Sequence, residues 1–166
     1  MATVVDRDLG WRHVMRIMTA SFTSHARVGI LEGEVSAQGD VRNPGGMSGA
    51  TGKANLAQIA AFNEFGTSTI PARPFMGRTV DVNAAKYQQM LALGFSDMLI
   101  GRMTQEQVLN ELGLEGQKDM KKSLTGARAW AQANAPTTIA QKGSSQPLID
   151  FGTMRNAVAF DVVKGR

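Results

Sequence analysis

The thirteen residues NEFGTSTIPARPF, Asn63 to Phe75, constrain the fold more than any other stretch. Ahead of them, Leu56, Ile59, Ala60 and Phe62 recur at helical spacing, and Gly66 is the residue type that ends such a helix. Pro71 and Pro74 lack an amide hydrogen and bias Ile70 and Arg73 toward extended backbone, so Thr67 to Pro74 is expected to run extended. Phe65, Ile70 and Phe75 are expected to do the packing, with Phe65 and Phe75 in a core or an interface. Three backbone regimes in so short a span mark a packing hub or a contact surface.

The flanks read as alternating helices and strands. Val5 to Ala20 suits an amphipathic helix, with Leu9, Val14, Met15, Ile17 and Met18 set against Asp8, Arg12 and Arg16. Ser24 to Val35 approaches period two, the pattern of a half-buried strand. Residues 36–55 are rich in glycine and poor in large apolar groups, predicting a long loop that is flexible or ordered by a partner.

Downstream, Thr79 to Gly101 is expected as a helix buried on more than one side. Thr104 and Gln107 form a capping box for a helix that Gly113 stops. A further helix is expected from Leu114 to Asn134, ended by Pro136, and a closing strand from Met154 to Val163. The expected fold is α+β: one domain over residues 1–166, a small, mostly antiparallel sheet packed with several helices, and the glycine-rich loop after the first strand.

Composition narrows the chemistry. A chain of 166 residues is long enough to bury a core without crosslinks, and the absence of cysteine removes disulfides, cysteine-rich zinc sites and thiol catalysis. Asp6, Arg7, Asp8 and Arg12 interrupt any signal-like apolar run, so a soluble protein made in a cytoplasm, without membrane contact, is expected. The net charge of +4 is spread along the chain and selects no partner by itself.

Candidate sites are few. Gly52-Lys53 fails as a phosphate loop, because Met47 and Ala54 stand where a glycine and a hydroxyl residue are needed. His13 and His25 have no further ligands at metal-binding spacing, and no serine or threonine sits in a nucleophile elbow, so no catalytic residue, metal or cofactor is assigned. Lys118, Lys121 and Lys122 form the densest basic group; they are the candidate nucleic-acid contacts of an alternative reading built on helix 118–128, against the simpler one of a solvated face. Glu64 and Arg73 share the central motif. An ion pair between them is expected either to fix the turn or to cross to a neighbouring subunit, or, on the simpler reading, to be an exposed pair worth little.

At Asn63-Glu64-Phe65-Gly66-Thr67 followed by Ile70-Pro71-Ala72-Arg73-Pro74-Phe75, the chain resembles the neck or tail-completion proteins of tailed phages, also described as minor tail or virion morphogenesis proteins. Ala135-Pro136-Thr137 with Lys142, and Pro147-Leu148-Ile149-Asp150 with Gly152 and Met154-Arg155, extend the resemblance; Phe151 departs from it, standing where threonine is usual. The resemblance implies a non-catalytic α+β subunit of the virion, assembled in the host cytoplasm. It implies a ring, of six copies, between the head-tail connector and the tail-terminator or tail-tube proteins, with passing contact to packaged DNA. Its candidate assembly residues are Glu64, Phe65, Arg73, Phe75, Asp150 and Arg155.

Overall fold

The computed structural model describes residues 10–20, 23–31, 56–149 and 152–165. Its elements run α1 (Trp11–Thr19), β1 (His25–Ile30), α2 (Leu56–Phe65), α3 (Phe75–Leu99), α4 (Gln105–Thr125), a 3₁₀ turn (Ala127–Ala129), α5 (Pro136–Lys142), α6 (Thr153–Asn156) and β2 (Val158–Val163). The strands pair antiparallel, with His25 opposite Val163 and Ile30 opposite Val158. This is the expected α+β class, a two-stranded sheet packed by helices. The glycine-rich loop 36–55, with Glu32 and Glu34 before it, lies outside the described residues.

Helix α4 touches α3 on one side and both strands on another. It starts as the sequence predicts: Thr104 Oγ1 accepts from Gln107 N at 3.3 Å and Gln107 Oε1 accepts from Thr104 N at 2.8 Å, closing the capping box. It does not stop at Gly113. Gly113 is buried beneath the Phe160 ring, and a Cβ added at Gly116 would sit 3.1 Å from Val28 Cγ2. The two glycines, nearly one turn apart, thus form a flat strip on which the sheet lies. Each costs about 1 kcal/mol in helix propensity relative to alanine, and the sheet contact they permit offsets it. One helix therefore replaces the two expected on either side of Gly113.

Other boundaries also move for local reasons. The chain leaves α4 at Gly126, and Pro136, expected to end a helix, instead occupies the first turn of α5, where its missing amide hydrogen is no loss. Helix α3 begins at Phe75 rather than Thr79. Its burial is narrow: Phe75, Thr79, Gly94 and Met98 are inside, while Val82, Leu91, Leu93 and Phe95 are exposed. The closing strand begins at Val158, since residues 153–156 are helical.

The core gathers Leu56 and Ala60 of α2, Phe75 of α3, Met120 and Leu124 of α4, then Ala127, Leu148, Met154 and Val158. Leu148 is the one non-glycine residue with positive φ among those described, at 60°. Its side chain is buried, so packing holds the Pro147-Leu148 turn in a conformation that costs about 1–3 kcal/mol. Helix α1 lies outside this core. It rests on α3 through His13, whose Nε2 is 2.9 Å from Met98 O, and Trp11 is 68% exposed.

Candidate functional site at the elbow between α2 and α3

The motif forms a closed elbow. At Gly66, φ is +75°, and a Cβ there would stand 2.9 Å from Ala72 N and 3.1 Å from Ile70 O. Only glycine permits both that left-handed turn and that approach of backbone to backbone. The next residues do not run extended as expected. Thr67 N donates to Ile70 O at 2.8 Å, and Thr67 Oγ1 accepts from Thr69 N at 3.2 Å and Ile70 N at 3.0 Å, folding 67–70 into a tight loop. Threonine hydroxyls favour such local turns, and here that preference overrides the extended bias of Pro71. The loop then returns to α2, where Arg73 N donates to Asn63 O at 2.6 Å.

Glu64 and Arg73 are both buried, and they do not pair with each other. Glu64 Oε2 accepts from Met76 N at 2.8 Å and Oε1 from Gly77 N at 2.9 Å. Its carboxylate thus takes two of the amides left unpaired at the start of α3, at the positive end of the helix dipole. Because the N-cap residue is Pro74, with no side chain able to cap, this function is supplied from α2. Arg73 points the other way: Nε donates to Gln132 O at 2.8 Å, and Nη2 to Ala133 O and Asn134 Oδ1, each at 3.2 Å. The ion pair expected from the sequence is replaced by two separate intramolecular locks. One fixes the α2–α3 angle, and the other ties the elbow to the segment after the 3₁₀ turn. Burial holds the Arg73 guanidinium below the ordinary arginine pKa.

The two phenylalanines separate as sharply. Phe75 is fully enclosed in the core, whereas Phe65 is 81% exposed. The core placement therefore holds for Phe75 and is excluded for Phe65. Period alone does not distinguish them, because Phe65 falls in the last turn of α2, where the chain is already leaving the core.

The remaining candidates lie apart from the elbow. Arg155 is exposed, with Nη2 3.5 Å from Asn156 Oδ1, and Asp150 lies outside the described residues. In the basic group, Lys118 Nζ is 3.3 Å from both Glu115 oxygens, so its charge is locally balanced; Lys121 is half-buried and Lys122 exposed.

A polar cluster that sequence spacing did not reveal joins α3 to α4 on this side. Lys86 Nζ meets Glu115 Oε1 at 3.0 Å and also the buried Asp119, which accepts from Tyr87 Oη at 3.0 Å. Burial lowers the Lys86 pKa, but hydrogen bonds and charge from Asp119 and Glu115 outweigh it and hold the ammonium above the usual lysine value. The hydrogen bond from Lys86, then that from Lys118, holds the Glu115 carboxyl below its ordinary value. Burial, and then the hydrogen bond to Asp119, raises Tyr87. The members lie on two helices and face each other only once those helices pack.

Among the described residues no group of three or more acidic or histidine side chains converges as a metal site, and no helix is long and apolar enough to cross a membrane. No family model, curated protein or solved structure matches this chain.

Proposed function

We propose that this chain is a non-enzymatic structural subunit of a tailed-phage virion that completes the tail and joins it to the head at the neck, as a ring of copies. The proposal rests on the ordered motifs Asn63-Glu64-Phe65-Gly66-Thr67, Ile70-Pro71-Ala72-Arg73-Pro74-Phe75 and Pro147-Leu148-Ile149-Asp150. The geometry of the first two supports it. The observation that carries most weight is Phe65, a large apolar side chain left 81% exposed on an elbow whose charged groups, Glu64 and Arg73, are buried and bonded within the chain. An aromatic presented by a rigid mount loses little conformational freedom on contact, which is the property of an interface anchor.

The test is made in the phage or prophage that encodes the chain. Deleting the gene is expected to leave DNA-filled heads without joined tails, and restoring the wild-type copy to rescue infectious particles. Normal tailed particles from the deletion would overturn the role. Phe65→Ser is expected to fold with unchanged thermal stability, since the ring buries little in the single subunit, and yet fail to rescue. Full rescue by Phe65→Ser would remove Phe65 from the assembly surface.

A further inference from the structure

Beside the elbow is an open groove of about 400 Å³, lined among others by Arg73, Pro74, Arg78, Asp81, Val82 and Trp130. Arg73 is only 7% exposed, and its three hydrogen bonds go to two backbone carbonyls and an amide oxygen through Nε and Nη2. Its Nη1 group makes none among the described residues. Yet Nη1 is not sealed in, because the one fully enclosed side-chain nitrogen or oxygen without a hydrogen bond there is Ser123 Oγ. Nη1 is therefore not fully enclosed, on a side chain that is otherwise buried and belongs to a residue lining the groove.

Neither Arg73 nor Arg78 lies within ion-pair distance of a carboxylate among the described residues. A buried charge held only by carbonyl dipoles is uncommon, since such groups are normally paired. The lowered Arg73 pKa has burial as its cause, with no acidic neighbour acting against it. Arg78 is held in place from another direction, its guanidinium carbon 5.2 Å from the centroid of the Trp130 ring. Stacking of this kind fixes the plane of the guanidinium while leaving its edge free to donate.

We propose that this groove binds an acidic side chain of a protein partner, with Arg73 Nη1 and Arg78 donating to the carboxylate while Pro74, Val82 and Trp130 pack against the residue beside it. The amides at the start of α3 are not part of the site, because Glu64 already occupies them. Asp81 in the lining repels any anion, and a run of phosphates more than a single carboxylate, which favours a peptide over a nucleic-acid backbone. The inference goes beyond the assembly role: a free peptide tests the groove, and particle formation tests the role.

The probes are the blocked dipeptides acetyl-Phe-Glu-amide and acetyl-Phe-Gln-amide, titrated into the full chain carrying Trp11→Phe. That change leaves Trp130 as the sole fluorophore of its kind, since the chain has two tryptophans. The Glu peptide is expected to bind at least about tenfold more tightly than the Gln peptide, the ratio that one hydrogen bond to a charged group supports. Arg78→Gln is expected to remove most of that ratio. It leaves the elbow's own hydrogen bonds intact, so loss of folding does not obscure the result, and Lys118→Gln is expected to leave the ratio unchanged. Equal affinity for the two peptides, no saturable binding of either, or inorganic phosphate binding as tightly as the Glu peptide would overturn the proposal.

Discussion

Glu64→Gln isolates the lock at the start of α3 with almost no change in shape. The carboxylate receives Met76 N at 2.8 Å and Gly77 N at 2.9 Å, one on each oxygen. Glutamine keeps one acceptor and presents an NH2 group to the other donor, so one amide loses its partner and the interaction with the helix dipole loses its charge. A hydrogen bond to a charged group is worth about 1.5–3 kcal/mol, and a carboxylate at a partly buried helix N-terminus adds about 0.3–2 kcal/mol. The expected loss is about 2–3 kcal/mol, which for a chain of 166 residues lowers the melting temperature by roughly 4–12 °C. Circular dichroism melts measure the shift, and amide exchange locates it, with protection falling first at Met76 and Gly77. The control is Glu111→Gln, at an exposed position on α4, expected to stay within about 0.5 kcal/mol of the wild type. If both variants melt alike, Glu64 is not holding α3.

Two more predictions probe the packing around α4. Gly113→Ala places a methyl group inside the Phe160 ring contact, with Cε2 and Cγ only 3.0 Å away; overpacking of about 1–3 kcal/mol, less up to about 1 kcal/mol of helix propensity, should lower the urea midpoint, and an unchanged or higher midpoint would contradict the close helix–sheet contact. Tyr87 is the only tyrosine in the chain, so tyrosinate absorbance reads it alone. Burial and Asp119 raise its pKa, so its contribution to stability is complete below the unfolded value of about 10 and is lost as pH rises through the higher folded value. Asp119→Asn should move the midpoint down, and a wild-type midpoint at the free-tyrosine value would refute the cluster.

What the sequence revealed was local. The capping box at Thr104 and Gln107, the helix stop at Gly66 and the presence of an early and a closing strand all follow from short-range chemistry, and the structure keeps them, while the pairing of those two strands is long-range and only the structure shows it. Gly113 shows where that ends. Glycine stops a helix when the backbone needs a left-handed turn, but it also serves where another element must come close, and only Phe160, far along the chain, distinguishes the two uses. Pro136 is ambiguous in the same way, since proline is as fitted to the first turn of a helix as to its end. At the site, the weight on Glu64, Arg73 and Phe75 was legible because acidic, guanidinium and aromatic groups crowd a motif with two prolines. Their partners were not legible: Gln132, Ala133 and Asn134 offer Arg73 mainly backbone oxygens, which no residue-type pattern announces.

The geometry changes what the motif can contribute to an assembly. Had Glu64 and Arg73 paired across subunits, separating the subunits would expose two buried charges at once, and association would be coupled to folding of the elbow. Instead Glu64 is satisfied by α3 and Arg73 mostly by the segment at 132–134 within one chain. The elbow's hydrogen bonds are then complete within one chain. What it offers outward is an exposed aromatic ring at Phe65 and, under the groove proposal, one amino group of Arg73. The first favours contact through apolar area and the second through charge, so the two respond differently to salt: added salt weakens a contact through Arg73 while sparing one through Phe65. A contact using both is selective, because a partner must present an apolar surface and a carboxylate at a spacing that the rigid elbow has already set.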